Sequence, residues 1–197
     1  MVGMKNSKAP FWKTVCISLF MVVMTVVEPL SVQADMEPRM ADILITNNTE
    51  NVFLYARLVD CFKKEMETAI LAGVPAVFTI QLDVYQERSY LWNKHIVGKE
   101  IHRIIKYDNL KKIFSITTNG VSQPVIFPDF ESAQKAMADL NGIPVIPISY
   151  LSKGNNYHAR IKVKMDKVRL PFSMEYVLFF VSLWDFETPL YKVRFSY

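Results

Sequence analysis

Hydrophobic and polar positions alternate most clearly between Asn51 and Tyr85, and the period changes twice within that stretch. Val52, Leu54, Ala56 and Leu58 alternate with Phe53, Tyr55, Arg57 and Val59, the two-residue period of a strand with one buried face. Phe62, Met66, Ala69 and Ile70 then recur at helical spacing, with Asp60 placed to cap the helix and Gly73 and Pro75 to stop it. From Ala76 to Tyr85 the alternation returns, with Phe78, Ile80, Leu82 and Val84 on one side. The predicted unit is strand, short helix, strand.

The same reading extends in both directions. Ile43 to Thr46 predicts an edge strand, with Asn47-Asn48 as its turn. Gln86 to Asn93 holds no period and predicts a loop, its Trp92 folded back onto the core. A strand from His95 to Tyr107, a tight turn over Tyr107 to Leu110 and a return strand from Ile113 to Thr118 follow. Asn119-Gly120 then predicts a type I′ hairpin turn. A second helix is expected from Phe130 to Asn141, capped by Asp129, with Phe130, Ala133, Met137 and Leu140 buried and Gly142 at its end. Pro144 and Pro147 push the strand from Ile143 to Leu151 toward an edge or a bulge. After a turn at Lys153 to Asn156, Tyr157, Ala159, Ile161, Val163 and Met165 face inward, and His158, Arg160, Lys162, Lys164 and Asp166 face outward. Met174 to Tyr197 predicts two closing strands around Trp184 and Pro189, with Tyr176 to Trp184 readable as strand or as short buried helix. The expected class is mainly β or α+β: an antiparallel twisted sheet or β-sandwich with two short helices packed on it. Repeated βαβ alternation, the mark of a Rossmann-like sheet, is missing.

Composition alters this picture mainly at the N-terminus. Lys5, Lys8 and Lys13 precede an uncharged run from Val15 to Val27, and Val32 and Ala34 stand at the small-residue positions of a cleavage site before Asp35. This is the pattern of a secretory signal peptide over residues 1–34, cut between Ala34 and Asp35. The 13-residue apolar run is short against the roughly 20 residues of a spanning helix, although a retained anchor shares these features. Residues 35–40 then read as a tether and 41–197 as a single β-rich domain. Removal of the leader's three lysines and one acid leaves 20 basic and 18 acidic residues, net +2, so the basic precursor says little about partners. Cys61 is then the one remaining cysteine, which excludes an intramolecular disulfide. An exported domain without disulfides suits a bacterial envelope, in the periplasm or anchored to the inner membrane facing it.

Candidate chemistry is sparse. There is no G-x-S-x-G and no H-E-x-x-H or C-x-x-C. Cys61, at a strand–helix junction, reads as buried filler. His95 and His102 are seven residues apart, an odd spacing that puts them on opposite faces of one continuous strand. No catalytic residue, metal site or cofactor is assigned, and no enzymatic activity is expected. Arg103 and Lys106 in one basic stretch and Arg160, Lys162 and Lys164 in another are candidates for an anion-binding face, suited to anionic lipid headgroups or an acidic partner if their strands lie side by side. Met66, Met137, Met165 and Met174 are candidate cavity linings, with a well-packed core as the plainer reading. Export removes the protein from nucleic acid.

The segment at Trp92, the stretch IIKYDNLKKIF (Ile104–Phe114) and the end of the chain from Leu170 resemble a family of exported bacterial proteins described as domain of unknown function 4390. The resemblance covers roughly Met40 to Tyr197 and rests on Trp92, Tyr107, Leu110, Leu170-Pro171 and Trp184. It implies an envelope protein with a leader, no established activity, no catalytic residues to carry over, and a membrane sensor kinase as a signalling neighbour. The expectation is a non-catalytic binding or protein-interaction domain at the periplasmic side of the inner membrane, its partner an envelope protein or an anionic membrane surface. The alternative is a carrier or sensor of an apolar or anionic ligand.

Overall fold

In a computed structural model, residues 37–166 and 186–197 are described. The segment expected to be a leader, with its expected Ala34–Asp35 cleavage site, and the closing segment holding Leu170, Met174 and Trp184, lie outside the described residues. The described chain runs β1 (Arg39–Asn47), β2 (Asn51–Val59), α1 (Lys64–Leu71), β3 (Ala76–Gln86), β4 (Lys94–Asp108), β5 (Ile113–Thr118), β6 (Val125–Phe127), α2 (Phe130–Ala138), β7 (Ile143–Pro147), a 3-10 turn (Ile148–Tyr150), β8 (Asn156–Asp166) and β9 (Tyr191–Ser196). The class is the expected one: antiparallel sheets with two short helices, the larger sheet curved as a half-barrel.

Two sheets divide the strands. One has three in the order β1-β2-β7, and the other has six in the order β6-β5-β4-β3-β8-β9, with every pair antiparallel. Between them lies the core. The inward rows Val52, Leu54, Ala56 and Leu58 of β2, Phe78, Ile80, Leu82 and Val84 of β3, and Tyr157, Ala159, Ile161, Val163 and Met165 of β8 are all buried. Met66, Ala69 and Ile70 of α1 and Ala133 and Met137 of α2 complete it. Phe62 packs on Phe78 at 5.3 Å between centroids and edge-on to Phe130 at 6.0 Å, joining the entry of α1 to α2 and the larger sheet.

Several local signals act as the residue chemistry demands. Asn48 Oδ1 accepts from the backbone N–H groups of Glu50 and Asn51, both at 2.8 Å, and closes the β1–β2 turn. Asp108 Oδ1 does the same for Leu110 and Lys111. Asp129 caps α2 by accepting from Ser132 N at 2.8 Å and Ser132 Oγ at 2.9 Å.

Other expectations are corrected. Asp60 does not cap α1; it takes a left-handed φ of 60° where the chain leaves β2, and Lys63 occupies the N-cap position without capping the helix through its side chain. At Asn119-Gly120 only Gly120 has positive φ, so the turn is not type I′. Asn119 instead prolongs the β4 pairing through its side chain, accepting from His102 N and donating to Glu100 O. Helix α2 stops at Ala138 because the next residues join the small sheet: Leu140 exchanges both backbone bonds with Ala56, and Asp139 bridges to Arg57. Trp92 does not fold back, being 95% exposed.

The two-faced character of β3 yields a direct test. Ile80→Ala is expected to lose about 2–5 kcal/mol in urea unfolding. Gln81→Ala, one residue along on the outward side, is expected to cost about 0.5 kcal/mol. Comparable losses would show that the two sides of β3 are not distinguished by burial.

Candidate functional site

The outward row of β3 is Thr79, Gln81, Asp83 and Tyr85, and the register brings polar partners to each from both neighbours. Thr79 stands between His102 and Lys164, Gln81 between Glu100 and Lys162, Asp83 between Gly98 and Arg160, and Tyr85 between His95 and His158. Beyond β8, Arg160 and His158 pair with Lys192 and Arg194 of β9. The result is a polar and aromatic face carried by regular sheet.

One irregularity completes it. Val84 pairs with Val97 but Tyr85 pairs with His95, so Ile96 is an extra residue in β4. Such a bulge reverses the alternation beyond it. His95 therefore shares the outward face with His102, and the expectation of opposite faces is overturned. All three histidines of the chain line this one face.

Tyr85 is the centre of contact. His158 stacks on its ring at 5.2 Å and 11°, His95 meets it at 5.0 Å and 61°, and the Arg160 guanidinium lies 4.6 Å from its centroid. His95 Nε2 is 3.0 Å from Asp83 Oδ1. Gly98 keeps that pair possible, since a Cβ there would sit 2.7 Å from Asp83 Oδ1 and 3.3 Å from His95 Nε2. Thr79 Oγ1 and His102 Nδ1 are 2.9 Å apart, and Gln81 Nε2 donates to Glu100 Oε1 at 2.8 Å.

A second node lies at Glu87. Its Oε1 is 3.2 Å from Arg194 Nε, 3.2 Å from His158 Nδ1 and 3.6 Å from Lys192 Nζ. Desolvation pushes this carboxyl up, but the Arg194 hydrogen bond and the charges of Arg194, Lys192 and His158 together hold it below its ordinary value. The alternation of β8 places His158 on the outward row. It is nonetheless fully buried, and the bearing of Nδ1 on Glu87 misses hydrogen-bond geometry. Burial pushes its imidazole down, Lys192 and Arg160 push the same way, and Glu87 opposes them; the net shift is downward.

The five candidate anion-binding residues divide. Arg160, Lys162 and Lys164 do share the outward face, and Lys162 is paired with Glu187. Arg103 pairs in register with Phe78 and points inward. Its guanidinium donates to the carbonyls of Ala136 at 3.0 Å, Met137 at 3.3 Å and Asp139 at 2.7 Å, and so satisfies the C-terminus of α2. Lys106 is outward but lies opposite Ser115 of β5, past the Ala76–Ile105 pair that begins the β3 ladder. With β3 between the two basic strands, and Asp83, Glu87, Glu100 and Glu187 among the cations, the face is mixed in charge.

Two clefts lie elsewhere. One of about 630 Å³ runs between β2 and α2 and includes Asp42, Arg57, Asp60, Cys61 and Lys135. The other, about 600 Å³, includes Ile101, Arg103, Val121, Ile143 and Pro144. Met66, Met137 and Met165 line neither; they are buried in the core. Cys61 is buried and its thiol is pushed up to about 12, chiefly by desolvation, which disfavours a thiolate nucleophile. Among the described residues no cluster of three or more His, Cys, Asp or Glu is arranged to hold a metal ion.

The depressed His158 pKa predicts a pH dependence. The unfolded imidazole titrates near its ordinary 6.5 and the folded one lower, so unfolding takes up a proton as pH falls between these values. Its contribution is complete above 6.5 and declines as pH drops toward the folded value. Urea midpoints measured from about pH 7.5 to 5 should fall, with a shallower slope in His158→Gln. Loss from Glu87 belongs below the ordinary carboxyl value of 4.5. Equal slopes in parent and variant would contradict the assignment.

No curated protein and no solved structure matches the chain. One family model does, over residues 36–194, almost the whole of the structure described above. By that match, the chain belongs to the family described as Domain of unknown function (DUF4390).

Proposed function

We propose that the protein is an exported, non-catalytic interaction domain held at the periplasmic side of the bacterial inner membrane. Its binding surface is the outward face of the larger sheet, and its partner is an envelope protein. The observation that carries this reading is the Tyr85-centred network, in which aromatic, cationic and anionic groups are held by cross-strand contacts on rigid sheet. Tyr and Arg on a preorganised face are the residue types that anchor protein interfaces, and mixed charge offers register to a complementary surface. The leader at 1–34 supports export. A membrane sensor kinase is the partner class that the family resemblance suggested.

The carrier or ligand-sensor alternative has less support. Arg103 and Lys99, the cations of the more apolar cleft, are already bonded to backbone carbonyls, Lys99 to that of Pro144.

Full-length protein carrying a photo-crosslinking residue at Glu100 tests the reading in bacterial envelopes. A discrete protein adduct is expected, reduced about tenfold or more by Arg160→Glu with Arg194→Glu, circular dichroism being unchanged. An intact mass beginning at Asp35 in the same sample would support cleaved export. No adduct from this face, or one indifferent to the charge reversal, would contradict the proposal.

A further inference from the structure

The β3–β4 hairpin loop is long. It takes the seven residues Glu87–Asn93, against roughly two to five for an ordinary hairpin loop. Its base is fixed: Gln86 pairs with both Lys94 and Tyr157, and Glu87 N donates to Asn156 O at 2.8 Å. Arg88 N reaches Asn93 Oδ1 at 3.4 Å across the neck. Beyond that neck project Ser89, Tyr90, Leu91 and Trp92, with Tyr90 97%, Leu91 68% and Trp92 95% exposed.

Three consecutive large apolar side chains in water at the apex of a tethered loop need a reason in an otherwise ordinary surface. A convex apex offers no groove to clasp a peptide or small ligand. Its composition matches a bilayer boundary instead: Trp and Tyr favour the headgroup level, where an apolar ring and a polar edge are both satisfied, and Leu favours the acyl region below. Arg88 and Lys94 flank the apex, both exposed and without an ion-pair partner among the described residues. The one acid of the loop, Glu87, is engaged by Arg194 and Lys192. The tip therefore presents net positive charge around an apolar point, complementary to anionic headgroups. The Lys153–Asn155 turn, with exposed Lys153, lies at the same end of the sheet, since Asn156 opens β8 beside Glu87.

The geometry points to the Tyr90-Leu91-Trp92 tip as a membrane-contacting element that dips into an anionic phospholipid surface. This goes beyond the sheet-face reading and does not depend on it, for the tip is a different surface.

The test uses the full chain with Cys16→Ser and Ser89→Cys, labelled at residue 89 with a polarity-sensitive fluorophore. Cys61, buried and with its thiol at about 12, is left unlabelled. The protein is reconstituted into vesicles of phosphatidylethanolamine and phosphatidylglycerol, with and without brominated acyl chains. A blue-shifted emission quenched by the brominated chains is expected. Both effects should fall about tenfold when Tyr90, Leu91 and Trp92 are replaced by Ser, and in part with Arg88→Glu and Lys94→Glu. Because the leader is present in every sample, membrane attachment alone moves none of these comparisons. Emission that stays water-like in a protein with native circular dichroism would overturn the proposal. So would quenching that survives the triple Ser replacement, or a shift produced by a solubilised envelope protein and not by vesicles.

Discussion

Core and outward face alike depend on β3 being hydrogen-bonded along both edges. It pairs with β4 from Ala76 to Gln86 and with β8 from Val77 to Gln86, so its backbone groups are satisfied almost end to end. With the ladder fixed, the two-residue period leaves no freedom in where its side chains go. Phe78, Ile80, Leu82 and Val84 fill the space beneath the small sheet and the helices, and Thr79, Gln81, Asp83 and Tyr85 are delivered to the opposite side. The strand that builds the core and the strand that displays the polar face are one and the same. A slip of one residue would exchange the two rows, which couples the surface to the stability of the interior.

Charge on the outward face is arranged locally. Arg160 lies on Tyr85, Lys162 is joined to Glu187, and Lys192 and Arg194 converge on Glu87. Exposed pairs of this kind contribute little to stability, typically about 0–1 kcal/mol each, but they hold side chains in register for recognition. The apolar tip at Tyr90 to Trp92 follows the opposite logic: Arg88 and Lys94 have no ion-pair partner among the described residues, and the side chains between them are exposed. The same hairpin thus carries a preorganised face along its strands and a bare apolar point at its apex.

Much of the fold was legible because period and turn chemistry are local. The rows of β2, β3 and β8, the bounds of β5, and the roles of Asn48, Asp108 and Asp129 all follow from neighbours within a few residues. What was not legible depends on pairing across the chain. The extra residue at Ile96 shows only when β4 is laid against β3, and without it His95 is assigned to the wrong side. Arg103 looks like any lysine-rich strand's cation until α2 ends above it with three open carbonyls. His158 sits on an outward position in the pattern, and its stacking on Tyr85 and the approach of Glu87 and β9 belong to other parts of the chain. Trp92 was misplaced because a large aromatic ring in an aperiodic loop usually signals the core; its sequence position at a hairpin apex says otherwise.

The most direct measurement is a nuclear Overhauser spectrum of aromatic protons in the folded protein. Cross-peaks from the Tyr85 ring to the imidazole protons of both His95 and His158 are expected, because the bulge at Ile96 returns His95 to the outward face. Cross-peaks from His95 to the buried methyls of Val84, with none to Tyr85, would mean uninterrupted alternation along β4 and would contradict the assembly of the face.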